Sequence, residues 1–259
     1  MSTPTPLLDF FKRGEVARDV RLLAASGALA PRAHEQLSIL VLLLDDADPE
    51  VRSLAQTTID RIPVEALTGF LARSDVPINV REFFGDRGVF PAEIPTITAD
   101  DPLIDMAPGG GEEVDPDSDD QSRESLVQQL AKMSFTDRLK AAMKGSREMR
   151  AILVRDPNKM IAAAVLSSSK LSESEIEAFA RMANVGEDVL RIIASNRAWT
   201  KNYGVVVGLT KNPKTPLGLS LNLMSRLNDR DISALSMDRN VPESLRTAAR
   251  RKVVLGNSS

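Results

Sequence analysis

Asp156, Asn184, Asn212 and Asn240 stand 28 residues apart in the C-terminal half of the chain, with no gap between units. A period this short constrains the fold more than composition does. A unit of that size cannot enclose a core, so each must bury its apolar face against its neighbours, as stacked-helix solenoids do. The aligned segments are DPNKMIAAAVLSSSKLSESEIEAFARMA, NVGEDVLRIIASNRAWTKNYGVVVGLTK, NPKTPLGLSLNLMSRLNDRDISALSMDR and a shorter NVPESLRTAARRKVVL.

Local signals predict a pair of short helices in each unit. The leading Asp or Asn can accept an N–H of a first helical turn. Pro157 and Pro213 follow, where a missing N–H costs nothing, and Glu187 and Glu243 have the spacing of a capping box. Ser172, Thr200 and Asn228 share the seventeenth position and predict a second cap midway. Apolar columns agree with two helices per unit. Ile161, Val189, Leu217 and Leu245 share one column, and Val165, Ile193, Leu221 and Ala249 share another four residues on, an i, i+4 stripe. On the second helix Ile176 aligns with Ile232, and Phe179 with Val207 and Leu235. Gly204 and Gly208 lower helix propensity there, which points to close helix packing. Upstream, Ser134 to Asp137 opens a helix that Gly145 ends, Ser146 opens another, and a leading helix is expected around Ser125–Met133.

Residues 5–88 read as about six short helices. Asp48-Pro49-Glu50-Val51-Arg52 repeats the cap-then-Pro logic, and Asp75-Val76-Pro77 restarts it 27 residues later. This D-P-E-V-R-x-x-A run resembles the signature of HEAT repeats, in which a turn Asp and a following Arg brace adjacent helices. The C-terminal units, with their D/N-P and N-V-P openings, resemble bacterial leucine-rich-repeat-variant units of the same armadillo-type superfamily. The resemblance covers 126–255 and, more loosely, 20–88. It implies an all-α protein and carries no catalytic residues.

The expected architecture is therefore two α-solenoid bodies, 1–88 and 126–259, joined by an acidic linker over 89–125. Charge is segregated in the same way. Residues 89–125 hold 1 basic and 11 acidic side chains, whereas 126–259 hold 22 against 12. Pro, a Gly triplet and clustered acids give the middle stretch a linker composition, although Ile94, Ile97, Leu103, Ile104 and Met106 suffice for a short docking motif.

Chemistry is sparse. With no cysteine, disulfides and cysteine-based zinc sites or nucleophiles are excluded. His34, the one histidine, has no second ligand to share a metal and is expected at the surface or as a cap. DPDSDD over 115–120 lacks the glycine and terminal glutamate of a calcium loop, and no P-loop, dinucleotide fingerprint or GxSxG is present. The reading is of a non-enzymatic, cofactor-free and metal-free cytoplasmic protein without a membrane span.

Two groups of residues are candidates for binding. Arg197, Lys201 and Tyr203 cluster around the single Trp and Tyr, with Arg226 and Arg230 near the equivalent mid-repeat turn. Trp199 shares a column with Leu171 and Leu227 and is expected to pack, whereas Tyr203 shares one with Glu175 and Asp231 and is expected to be exposed. Exposed Tyr with Arg is a favoured hot-spot composition. Arg155, Lys159, Lys211, Lys214 and Arg239 flank the first-helix starts, where free N–H groups and cations suit anions. Arg246, Arg250, Arg251 and Lys252 make a further basic group on the last helix. The leading expectation is an adaptor that binds another protein, acidic or anionic, along the solenoid surface. The alternative is nucleic-acid binding by the basic C-terminal body, against which the scarcity of aromatic residues counts.

Overall fold

A computed structural model describes residues 6–29, 32–94, 103 and 120–256, with side chains from 125 to 255 in the last stretch. The described residues form sixteen helices and one 3₁₀ turn, with no strand. By their internal contacts they fall into two compact units, one of Met1–Leu153 with Ala164–Lys170 and one of Val154–Ala163 with Leu171–Ser259.

The first unit opens with six helices: α1 (Pro6–Lys12), α2 (Arg18–Ala25), α3 (Ala33–Leu43), α4 (Pro49–Asp60), α5 (Val64–Leu71) and α6 (Ile78–Gly85). Asp48 caps α4 as expected, its side chain accepting the Glu50 N–H at 2.9 Å with Pro49 at the first helical position. The bracing residue is more distant than the sequence indicates. Arg18 of α2 reaches both Asp48 at 2.6 Å and Glu50 at 2.5 Å, while Arg52 turns back onto the carbonyls of Asp46 and Ala47. Arg81 repeats that second arrangement with the carbonyls of Leu71 and Arg73. The apolar helix α3 contributes Leu37, Ile39, Leu40 and Leu43 to a core that includes Val51, Phe70 and Phe84.

Three more helices complete this unit: α7 (Asp120–Lys132), α8 (Phe135–Lys144) and α9 (Arg147–Leu153). Ser134 caps α8 by accepting from the Asp137 N–H at 3.2 Å, and Gly145 ends it. α8 touches α2. Of the linker residues, Leu103 donates its N–H to the buried Gln36 Oε1 at 2.8 Å, and Ile94 is exposed. Ile97, Ile104, Met106 and the DPDSDD run up to residue 119 lie outside the described residues. His34 corrects the sequence expectation. Arg32, not His34, occupies the N-cap position of α3, and both His34 ring nitrogens are buried without a hydrogen-bond partner. Burial accordingly pushes its pKa down, with Asp75 opposing and Lys12 assisting.

The second unit carries the repeats. Its helices are α10 (Lys159–Val165, to Ala163 in this unit), α11 (Glu173–Arg181), α12 (Glu187–Ser195), α13 (Tyr203–Lys211), α14 (Leu217–Met224), α15 (Asp229–Met237) and α16 (Glu243–Gly256). A 3₁₀ turn over Trp199–Lys201 precedes α13. α10, α12 and α16 keep the 28-residue register, as do α11 and α15, but α13 and α14 each begin two residues late.

Two local causes account for the slip. Pro216 disfavours helical backbone at Thr215, so α14 starts after it, and Pro213 sits in the preceding turn. Thr200 spends its hydroxyl on the Asn196 carbonyl at 2.9 Å and cannot cap; Asn202 caps α13 instead, accepting the Gly204 N–H at 2.8 Å. The displaced register breaks the apolar columns at this point. Ile161, Val189 and Leu245 are buried, as are Val165, Ile193 and Ala249, but Leu217 and Leu221 each remain 37% exposed. Ser220, Leu223 and Met224 face inward on α14 in their place.

The caps also differ from expectation. Ser172 and Glu175 form the capping box, and Asn228 caps α15. Glu187 and Glu243 are the first residues of their helices rather than box partners, and α12 is preceded by Gly186, not capped by Asn184. Asp156 and Asn212 close short turns, accepting from the N–H groups of Asn158 and Lys214 two residues on, before the helix begins. Asn212 does more. Its buried Nδ2 donates to the Ala180 carbonyl at 2.9 Å and the Met182 carbonyl at 3.0 Å, fastening the end of α11 to the end of α13, whose C-cap is Asn212.

Candidate functional site

The mid-repeat turns gather the first group of candidate residues. Arg197 lies in the turn before the 3₁₀ segment and Lys201 ends that segment, on either side of Trp199, which is half-buried. Arg226, 26 residues on, donates from Nη2 to the Thr200 carbonyl at 2.5 Å. Tyr203, the first residue of α13, donates its hydroxyl to Asp231 Oδ2 at 2.6 Å and accepts the Asn228 N–H at 3.1 Å. These cross-repeat bonds tie Tyr203 to the start of α15 and Arg226 to the 3₁₀ turn. Tyr203 nevertheless remains 42% exposed. Its hydroxyl is committed, so the surface it offers is the ring.

Asp231 is the pivot. Besides Tyr203 it takes Lys211 Nζ at 3.1 Å. The Tyr203 hydrogen bond is the main cause that holds its carboxyl below the ordinary range, with Lys211 and Asn228 adding to the effect against partial desolvation. On Tyr203 the Asn228 amide acts downward, but Asp231 and desolvation together outweigh it and raise the phenol. Arg197, Lys201 and Arg230 are exposed and make no ion pair among the described residues. The edge is thus an exposed aromatic with three unneutralised cations, at helix starts that Asn202 and Asn228 cap.

The second group is not brought together in this way. Lys159 pairs with Asp188 at 2.9 Å, and Arg155 lies against Met182 Sδ at 3.5 Å. Lys211 belongs with Tyr203 and Asp231. Lys214 and Arg239 are exposed separately in the turns before α14 and α16. The third basic group is largely occupied too. Arg246 and Arg250 face Glu243, and Lys252 Nζ reaches the Met224 and Ser225 carbonyls at 3.4 Å, a favourable position at the C-terminal end of α14.

Sequence reasoning missed Asp231 and Lys211 as members of the first group, although the 28-residue alignment pairs Tyr203 with Asp231. Among the described residues there is no cluster of three or more His, Asp or Glu that could hold a metal ion, and no helix long and apolar enough to cross a membrane. Comparison with protein-family models, curated proteins and solved structures finds no match to this chain.

Proposed function

We propose that the chain is a non-catalytic α-solenoid adaptor that binds an acidic partner protein through the mid-repeat edge of its C-terminal units. The reading of the helix pairs as a HEAT-like, leucine-rich-repeat-variant solenoid rests on the 28-residue register of helix starts and on bonds that span one repeat: Tyr203 to Asp231, Lys252 to Met224 and Lys159 to Asp188. The observation that carries the function is the Tyr203 ring, exposed and anchored through its hydroxyl to the start of α15, on turns that also carry the exposed Arg197, Lys201 and Arg230. A preorganised aromatic flanked by free cations loses little entropy on binding and complements carboxylates. The five cations at the first-helix starts are a weaker surface, because Lys159 and Lys211 are already neutralised.

The test is capture from native cytosol with the full chain and with an R197E/K201E/R230E variant as baits, each with and without nuclease. Proteins retained by the wild-type chain after nuclease and lost from the variant support the adaptor reading. Recovery of nucleic acid, with every co-purified protein lost on nuclease treatment, overturns it in favour of nucleic-acid binding by the basic unit, which then shows a steep salt dependence.

A further inference from the structure

Glu35 lies within the first unit and takes no part in the edge described above. It is 1% exposed, the most deeply buried carboxylate among the described residues. Its Oε1 accepts the Leu7 N–H at 3.1 Å and the Ser167 hydroxyl at 3.4 Å, whereas its Oε2 is buried with no partner. The next residue of that distant segment is held as well, by Arg32 Nη2 on the Ser168 carbonyl at 3.1 Å. Arg150, itself buried, holds the Lys170 carbonyl at 3.3 Å. Ala164–Lys170 is thereby a strap fastened at three points, and Ala164 to Ser168 are all buried.

We propose that Glu35 is a proton-dependent clasp: its neutral carboxyl keeps the Ala164–Lys170 strap closed on the start of α3, and ionisation favours opening. A neutral carboxyl accepts both donors at no electrostatic cost. Once ionised, it leaves a charge in the interior with one oxygen lacking any donor, a state that entering water relieves. Burial pushes Glu35 up to about 7, against the opposing effects of Arg32 and the Leu7, Ser167 and Leu8 donors.

The surroundings supply no second buried charge at Glu35. α3 packs against α1, α2, α4 and α6. Their ionisable residues are Asp9 and Lys12; Arg18, Asp19 and Arg21; Glu50, Arg52 and Asp60; and Arg81 and Glu82, all exposed or half-exposed. The neighbouring His34 responds to Asp75 and Lys12, and Arg32 is the one charge that acts on Glu35. Because the closed-state value is raised above the ordinary 4.5, closure is fully favoured below that value and is lost as pH rises through about 7.

Hydrogen exchange of the full chain between pH 5.5 and 8.5, corrected for intrinsic amide rates, tests the clasp. Protection of the Ser167 and Ser168 amides is expected to fall by up to ~10-fold per pH unit as pH rises from 5.5 towards 7, and to level off above that value. E35Q keeps an acceptor for Leu7 and Ser167 and is expected to show flat protection over the same range. S167A, lacking one fastening, lowers protection at every pH while retaining the slope. The Glu35 carboxyl resonance of the wild-type chain gives a second readout that needs no variant. A carboxyl that titrates near its ordinary value, or a strap whose protection follows the same pH profile in wild type and E35Q, overturns the proposal.

Discussion

Tyr203 and Asp231, one repeat apart, are joined at 2.6 Å by a hydrogen bond from the phenol to Oδ2. The same hydroxyl accepts the N–H of Asn228, the cap of α15. One side chain at the start of α13 thus fixes the start of the second helix in the following unit.

Y203F removes both bonds and leaves the ring in place. A modest loss of stability is expected for such exposed hydrogen bonds, read as a Tm lower by a few degrees. Asp231 is held below its ordinary value of 3.8, so its contribution is present above 3.8 and fades as pH falls through the depressed value. The gap in Tm between Y203F and wild type should therefore narrow under strongly acid conditions. Equal Tm values at pH 7 would show that this bridge contributes nothing.

Glycine substitutions separate packing from propensity. A methyl group on Gly208 would meet Ala180 Cβ at 3.2 Å and Arg181 Cγ at 3.0 Å, where α13 crosses α11. The same group on Gly218 of α14 meets nothing within 4 Å. G218A should stabilise by up to ~1 kcal/mol through helix propensity, while overpacking makes G208A destabilising by about 1–2 kcal/mol. Urea unfolding of the two variants checks the opposite signs.

Asn212 and Asn184 occupy the same column but differ in environment. Asn212 is 4% exposed and satisfies two carbonyls at the end of α11, whereas Asn184 lies at the surface. N212A should cost about 2–3 kcal/mol, because it strands those carbonyls. N184A should fall within ~0.5 kcal/mol of wild type. Similar losses at both positions would mean that the two Asn residues play a common capping role after all.

Glu35 makes global stability depend on pH in an unusual sense. Its raised value, about 7, favours the folded state below 4.5, and that advantage is lost as pH rises through 7. At pH 8, E35Q should exceed the wild type in stability by about 2–3 kcal/mol, with the difference vanishing at pH 4. Denaturant midpoints across this range provide the measurement.

Much of the helical pattern was legible because it is written in short-range chemistry. Ser134, Ser172, Asn228 and Asp48 cap the helices expected of them, and Gly204 and Gly208 mark the close crossing of α11 and α13. The slip of α13 and α14 was missed, although Pro216 signalled it, because the repeat alignment placed Pro213 at the helix start. That misreading put Leu217 and Leu221 in the interior. His34 and Glu35 were unreadable for a different reason, since the groups that surround them come from far along the chain.

The sequence alone determined an all-helical chain, the 28-residue spacing of its C-terminal helix pairs, and the separation of acidic from basic stretches. These depend on caps, prolines and apolar periodicity, which act over a few residues. Tertiary structure decided which cations stay free and which meet a carboxylate, that Tyr203 spends its hydroxyl on Asp231, and that Ser167 closes on a carboxyl 132 residues away. Such pairings depend on distances between helices, and no local signal encodes those.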